Sequence, residues 1–568
     1  MICARTIPGK IKAIQFSLVV VALLSIWSNS IAAPVVPGSA DVGRAIEENE
    51  SRPKPVYPGG TSVVAPEEKT NPAPAGADKV TFTLHHVIIE GSTVYKYDDL
   101  LALYNGYIDK TVSLQQIYDL ANLLTKRYHD DGYALSKAVV PPQEINNGDI
   151  RISVIEGYVD TMTIQGAYHE TEMTDAMFDK ITSEVPLNIK TLEHQMLLYN
   201  DLAGTSAQAI LKEADDKSAV GATHLVLVFN EVNEPSTISY DNFGSRYLGP
   251  YEASFQTGFN ILPYERTTIN GLATTPTKEL KFIDVTHTVP VDSSGTTATM
   301  GFSYGHSNPG YTLEADDIKS NAYDYSIGLT QPVIRSRVEN LYFGTGFEFK
   351  NNYTDVLSNR LYADALRIVN VSGNYDRSDS WKGTNQLQIK LSQGLDILGA
   401  SRNGSLFLSR QNGHSDFTKI NVDANRLQNV ANDVNVYVAG TAQYAGSALL
   451  SSEQFGFGGE QFGRAYDTSE ITGDDGIAGS VELQYSGLPD IWNTPSQLFT
   501  FYDIGKVWNY DGADISASST GVGLRLVHDE RLSANLTLAE PLTKRVDAPE
   551  YGGGKDPRVF FSVSYKLR

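Results

Sequence analysis

The chain has almost no cysteine: a single residue, Cys3, among 568. After residue 27 it also lacks any run of the ~20 apolar residues that a membrane-spanning helix needs. Positive charge is short as well, with 45 Lys and Arg against 67 Asp and Glu, a formal net charge of -22. Each shortage excludes something. A negative chain without a basic face is not built to bind nucleic acid. Without an apolar helix, residence in a membrane requires a closed β-barrel, because unpaired backbone cannot face lipid. Cys3 itself falls in a leader-like start. Arg5, Lys10 and Lys12 form a basic region, "AIQFSLVVVALLSIW" (13–27) an apolar one, and "SNSIAA" a small-residue end. Residues 1–32 therefore read as a secretory signal peptide, cleaved after Ala32. The expected mature chain has no cysteine, hence neither disulfide nor thiol chemistry.

Signatures of enzymes are equally thin. "GFSYG" (301–305) has the Gly-x-Ser-x-Gly form around Ser303. That motif needs a strand, a sharp turn and a helix. Here "TATMGF" alternates before it and "HSNPGYTLEADD" follows without a helical face, so Ser303 is expected inside a barrel strand. His85 and His86 are neighbours on a predicted strand, point to opposite faces and are not expected to share a metal. "YGGGKDP" lacks the spacing and the Ser/Thr of a phosphate loop. The expectation is no catalytic residue, no metal and no cofactor.

What is abundant is Tyr, Phe and Gly, at 31, 21 and 48 residues, a composition suited to a barrel with aromatic girdles. Residues 33–79 hold eight of the 24 prolines and read as an extended linker. Within it, residues 39–51 lack proline, and Ser39 or Asp41 could cap a short helix there. Residues 80–158 alternate between strand and helix patterns. "VTFTLHHVIIEG" reads as one strand. "YDDLLALYNGY" and "SLQQIYDLANLLTKRYHDDGY" read as helices, the second with Ile117, Leu120, Leu123 and Leu124 on one face. "ALSKAVVPPQ" and "GDIRISVIEGYV" read as two more strands. Residues 159–233 repeat the order β-α-α-β-β, giving two α+β modules. From 234 to 568 helical periodicity gives way to short alternating segments. In the last of them, "RVFFSVSYKLR", Val559, Phe561, Val563, Tyr565 and Leu567 share one face. At roughly 20 residues per strand plus loop, built on ~10-residue strands, this region holds about 16 strands. The expected fold is a β-barrel membrane protein, an antiparallel outer-membrane barrel preceded by two periplasmic modules.

Layout and motifs together resemble the outer-membrane transporters of two-partner secretion (TpsB type, the ShlB/FhaC/HecB family) of the Omp85 superfamily. In "GYALSKAVVPPQEINNGDIRISVIEGYV" the residues Gly132, Tyr133, Pro142, Gln143, Gly148, Glu156 and Gly157 follow the family's POTRA pattern. "SYDNFGSRYLGPYEA" matches at Asn242, Gly244, Arg246 and Gly249, and "LSQGLDILGAS" (391–401) is a further match. In "EQFGFGGEQFGRAYD", Arg464 and Tyr466 correspond to the tip of the sixth extracellular loop. In "FYDIG", Phe501, Asp503 and Gly505 correspond to its partner motif on the inner wall. Gly463 and Ala465 stand where the family usually shows Val and Gly.

The resemblance implies that Arg464 folds back into the barrel to meet Asp503. It also implies a plug helix at 39–51, and POTRA modules at 80–158 and 159–233 that take an exoprotein by strand addition. The implied function is export of an unfolded TpsA-like, hemolysin- or adhesin-like partner through the barrel without ATP. Lipid and lipopolysaccharide would surround the barrel, and the barrel-assembly machinery would insert it. The alternative is a diffusion porin for small solutes with accessory modules. An insertase is a poorer match, since the central Omp85 assembly protein carries five POTRA modules and only two fit here.

Overall fold

The computed structural model describes residues 36–51, 63–64, 72–213 and 219–567. The expected signal peptide (1–32) and residues 33–35, 52–62 and 65–71 of the linker lie outside the described residues. The first described elements are a helix, α1 (Val42–Ser51), and a two-residue strand, β1 (Val63–Val64).

The first module contains β2 (Thr81–Leu84), β3 (His86–Glu90), α2 (Tyr97–Tyr104), β4 (Lys110–Ser113), α3 (Leu114–Asp130), β5 (Lys137–Val139) and β6 (Asp149–Ile155). The expected single strand over "VTFTLHHVIIEG" is two strands. The chain breaks at His85, whose N–H is taken by Gly148 O at 2.9 Å, so β2 pairs with β4 while β3 pairs with β6. Strand β4 is short and polar, and its alternation is too brief to read. Helix α3 starts where Ser113 and Gln116 exchange hydrogen bonds: the Ser113 hydroxyl accepts from Gln116 N, and Gln116 Oε1 accepts from Ser113 N. Its buried stripe is Ile117, Leu120, Ala121, Leu124 and Tyr128. Leu123, expected on that face, is 44% exposed. At 100° per residue it lies one position off the i, i+3, i+4, i+7 stripe. Each buried Leu or Ile in this core contributes roughly 1.5–3 kcal/mol.

The second module contains β7 (Tyr158–Gly166), α4 (Glu172–Thr182), α5 (Ile189–Asp201), β8 (Thr205–Glu213) and β9 (Ala222–Glu231). Its sheet order is β1-β8-β9-β7, so the strand from the linker forms one edge. Met177, Phe178, Ile181, Leu192, Met196 and Tyr199 from the two helices pack against Leu225, Leu227 and Phe229 of β9.

The rest is a closed antiparallel barrel of 16 strands from β10 (Thr237–Asp241) to β27 (Arg558–Lys566), which pair with each other to close it. Side chains alternate as a lipid-facing wall requires. On β23 (Asp475–Tyr485), Ile477, Val481 and Leu483 are about half exposed, whereas Ser480 and Glu482 are buried inside. On Lys319–Arg335, Tyr325, Ile327 and Leu329 are likewise about half exposed, whereas Ala322 is buried. The lumen is not purely polar. Leu272, Phe282 and Ala322 face inward and pack on Val42 and Ile46 of α1, which breaks the apolar-out, polar-in pattern at those positions. Among the described residues no helix is long and apolar enough to cross a membrane; crossing falls to the strands. Ser303 lies within β14 (Thr297–Ser307), its hydroxyl donating to Asp284 Oδ2 at 3.1 Å. His85 and His86 pair with different carboxylates, Asp109 and Asp149.

Candidate functional site: loop tip, barrel wall and plug helix

Between β20 (Val434–Ala445) and β23 the chain leaves the barrel rim and folds back inside. A small hairpin, β21 (Phe455–Phe457) with β22 (Ile471–Gly473), forms its stem. Glycine makes the tip possible at Gly463, which has φ +78°, and the turn closes through Tyr466 N donating to Gly463 O at 2.8 Å. Gly505 on the wall is needed for a different reason: a Cβ there would come within 2.3 Å of the Phe457 ring. With no side chain at that point, the loop lies flat against β24 (Ser496–Trp508).

The tip carries Arg464 to Asp503. The guanidinium donates to Asp503 Oδ2 from Nε at 3.1 Å and to Oδ1 from Nη2 at 2.8 Å, a two-point fork. The backbone N–H groups of Gly463 and Arg464 also donate to Asp503 Oδ2, at 3.2 and 3.0 Å. The guanidinium plane sits 3.5 Å from the centre of the Phe501 ring, a cation–π contact. Asp503 is fully buried. Tyr466 is also buried, and its hydroxyl donates toward the carbonyls of Ser518 and Lys544, both at 3.1 Å. Ala465 packs among Phe499, Phe501, Ala539 and Phe560, so the small residue at this departure from the family pattern fits an apolar niche.

Three residues of this cluster escaped the sequence reading. Arg464 Nη1 also bonds Glu482, and Ser480 Oγ bridges Arg464 and Asp503 at 2.9 and 2.8 Å. Arg525, on β25 (Ile515–His528), holds Glu482 from the other side at 2.7 Å and lies 3.9 Å over Phe499. Two guanidiniums and two carboxylates thus neutralise one another inside the barrel, as a buried cluster must. The signal was present: Glu482 and Arg525 are charges set between apolar residues in alternating strands, which places them on the lumen side.

Helix α1 is held against both wall and loop. Asp41 caps it, accepting from Gly43 N at 2.8 Å and Arg44 N at 3.2 Å, and accepts the Tyr362 hydroxyl at 3.1 Å. Of the two expected caps it is Asp41 that acts; Ser39 instead gives its carbonyl to Ser245 Oγ at 2.6 Å. Arg44 donates to Ser469 Oγ at 2.9 Å and to the Gln454 carbonyl, both on the folded-back loop. Beside it, Glu453 of the loop bridges wall residues Lys350 and Lys419 at 3.2 and 2.8 Å, with Glu47 of α1 3.6 Å from Lys419. A cavity of about 550 Å³ adjoins this cluster.

The POTRA-motif residues gather at two joints of the first module. Glu156 accepts from Thr93 N at 2.7 Å, Val94 N at 3.2 Å and the Tyr128 hydroxyl at 2.8 Å, and from Thr93 Oγ1. Partial burial pushes its pKa up, but these hydrogen bonds, led by Thr93, outweigh that and hold it below the usual 4.5. Tyr133 stands edge-on to Tyr128, ring centres 6.0 Å apart. Gly132, with φ +101°, gives its carbonyl to Ile189 N at 2.8 Å, and Gly157 gives its own to Leu187 N at 2.9 Å; both tie the first module to the second. Gln143 bonds Arg151 N and O at 2.8 and 2.7 Å, standing in for a strand beside β6. Its neighbour Pro142 is exposed in the preceding turn. Gly148 faces Thr83 O, which a Cβ would approach to 2.1 Å. At the barrel seam, Asn242 extends the pairing past β10 by bonding Val559 O and Phe561 N at 2.9 and 2.7 Å. The loop-tip set and the POTRA set are not brought together; they occupy separate parts of the chain.

Comparison with known proteins accounts for this arrangement. The family described as haemolysin secretion/activation protein ShlB/FhaC/HecB matches residues 226–526, more than half of the chain, and the ShlB-type POTRA domain matches 82–157. The chain belongs to the ShlB/FhaC/HecB family. It is similar to the heme/hemopexin transporter protein HuxB of Haemophilus influenzae, with 22% identity over 93% of this chain and 95% of that one. It is also similar to the outer membrane transporter CdiB of Dickeya dadantii, 24% identical over 83% and 85%. The solved structure of CdiB from Escherichia coli shares the fold, with a TM-score of 0.71 at 18% identity over 99% of this chain and 100% of that one.

As a family member it is a two-partner secretion transporter, a translocator of partner exoproteins in the Gram-negative outer membrane with POTRA structure in the periplasm. Transport is not an enzyme class. With the modules in the periplasm, residues 446–474 are the sixth connection at the opposite, extracellular end of the barrel.

Proposed function

We propose that this protein takes one unfolded exoprotein from the periplasm through its two POTRA modules and passes it through the barrel lumen. The periplasm supplies no ATP, so export runs on binding and on folding of the product outside. The observation that carries this reading is the filling of the lumen. It is occupied by two pieces of the chain's own polypeptide, α1 and the sixth loop, held by side-chain contacts that withdraw without breaking a barrel strand. A diffusion porin gains nothing from such occupants.

In this reading residues 1–32 are the signal peptide and 33–79 carry the plug and its tether. Residues 80–158 and 159–233 are the two POTRA modules and 234–568 the barrel. Arg464, Tyr466, Phe501, Asp503 and Gly505 lock the loop to the wall. Gly132, Tyr133, Pro142, Gln143, Gly148, Glu156 and Gly157 shape the first module and its joint to the second. The client adds an extended strand to a module sheet, which lets one edge accept many sequences in turn. Lipid and lipopolysaccharide surround the barrel, which the barrel-assembly machinery inserts.

The test compares proteins released to the medium or displayed on the surface by the native host and by a strain deleted for this gene. Loss of one large exoprotein on deletion, restored by complementation, supports export. An unchanged secreted set with reduced uptake of small solutes favours the porin.

A further inference from the structure

Three lysines stand together on the inner wall: Lys350 on β16 (Glu339–Val356), Lys390 on β18 (Gly383–Gly394) and Lys419 on β19 (Thr418–Ala431). Two of them have carboxylates of the wall itself. Glu348 lies 3.5 Å from Lys350 and 2.9 Å from Lys390, and Asp324 stands opposite Lys350 across the pairing with Lys319–Arg335. Lys419 differs. Among the described residues its ion pairs are with Glu453 of the sixth loop and Glu47 of α1. Both belong to the pieces that fill the lumen. The carboxylate on its own strand, Asp423, is four residues on, roughly 13 Å along a strand.

The two partners fit Lys419 unequally. Its ammonium has three donors. Two go to Glu453, to Oε2 at 2.8 Å and to the backbone carbonyl at 3.2 Å. The remaining one has Glu47 for its neighbour, at 3.6 Å, too far for a hydrogen bond. Glu47 Oε2 is enclosed and meets no hydrogen-bond donor among the described residues. A buried cation and a carboxylate thus face each other without closing the contact. The cavity of about 550 Å³ lies beside them, lined by Lys419, Lys390 and the polar Gln388, Asn421 and Thr441.

We propose that Lys419 is a binding site in the lumen for carboxylate side chains of the chain in transit, at the place Glu47 holds at rest. The inference rests on the export reading above. An extended acidic segment brings a carboxylate that is free to close on the ammonium, where Glu47, fixed to a helix, stops short. Its arrival loosens α1 at this contact. A single ion pair in a watery lumen is worth little, so the segment is released again as the chain advances. The site selects charge and is indifferent to the order of residues around it.

The test uses the purified full-length protein in planar bilayers. Short poly-L-glutamate is added on the side of the α+β modules, with poly-L-lysine and a Gly-Ser peptide of equal length as controls. Arg44→Ala loosens the plug, and Lys419→Gln, Lys419→Arg or Lys390→Gln is added to it. Heat-modifiable mobility on gels checks that each variant is folded; should Lys419→Gln not fold, Lys419→Met, neutral and of similar length, replaces it.

Poly-L-glutamate is expected to interrupt the current through the Arg44→Ala pore. Loss of the Lys419 charge should raise its half-blocking concentration about tenfold or more, the worth of one hydrogen bond from a charged donor. Lys419→Arg should restore the block, Lys390→Gln should change it far less, and the Gly-Ser and poly-L-lysine peptides should lose nothing with Lys419. Equal block by poly-L-glutamate with and without the Lys419 charge, or an equal loss in Lys390→Gln, would overturn the proposal. The export reading is scored separately, by the proteins missing from the deletion strain's medium, so either can fail without the other.

Discussion

The barrel lumen and the edges of the two α+β modules are held shut by opposite means. In the lumen, Arg464 and Arg525 face Glu482 and Asp503 in a buried cluster where nearly every polar atom has a charged partner. At the module edges, single amide side chains stand in for strands, Gln143 beside Arg151 and Asn200 beside Ala207, joined by a two-residue piece of linker. The difference teaches how the work is divided. A buried charge cluster is specific and costly to break halfway, so it suits a seal with two states. Backbone pairing is indifferent to sequence and exchanges in small steps, as the strand addition proposed above requires.

The comparison breaks most severely at Asp503. Asp503→Ala leaves Arg464 with one of its two carboxylates and strips the acceptor from two loop amides. Removing one partner of a buried pair costs about 3–5 kcal/mol. The expected outcome is a barrel that unfolds at lower temperature in the heat-shift gel assay and exports little; wild-type levels of both would refute the seal. Arg44→Ala comes next, because it cuts the plug from the loop at Ser469 and Gln454. Hydrogen bonds from a charged donor are worth about 1.5–3 kcal/mol, so open-pore conductance in planar bilayers should rise about tenfold or more.

On the module side, Glu156→Gln weakens the joint that accepts Thr93, Val94 and Tyr128, by about 1–3 kcal/mol. Its sign with pH is set. The folded pKa lies below the ordinary 4.5, so its stabilisation is fully present above that value and is lost as pH falls through the folded pKa. Hydrogen exchange at the Thr93 and Val94 amides should speed up below pH 4.5 in the natural protein more than in the variant. Asn200→Ala should cost only about 0.5–1.5 kcal/mol and increase exchange at Ala207 without touching pore conductance. Smallest of all, Leu123→Ser on the exposed face of α3 should change the melting temperature hardly at all, within about 0.5 kcal/mol. A large effect would return Leu123 to the core.

Much of this was legible in the chain. The strand count followed from length, and Arg464 and Asp503 from short motifs at the loop tip and wall. What the sequence concealed was created by assembly. Leu272, Phe282 and Ala322 are apolar residues that face the lumen and pack on α1, so at those positions the apolar-out, polar-in rule points the wrong way. His85 breaks a continuous-looking strand because its amide is claimed by Gly148, 63 residues away in the chain. Glu482 and Arg525 were visible as charges among apolar neighbours, but only the register of β23 with β24, which sets Ser480 opposite Asp503 and Glu482 opposite Phe501, brings them to Arg464. The edge strand Val63–Val64 is too short to carry any pattern at all.

The most direct measurement is a reversible lock on the plug. A Cβ placed at Gly305 would lie 3.1 Å from Ile46 Cγ1, close enough for a disulfide in an Ile46→Cys, Gly305→Cys protein. Apart from Cys3, the chain has no competing cysteine. If the client passes through the lumen, export of the exoprotein stops when this pair is oxidised and resumes on reduction, with equal amounts of protein in the outer membrane. Undiminished export through the oxidised protein would contradict passage through the plugged barrel.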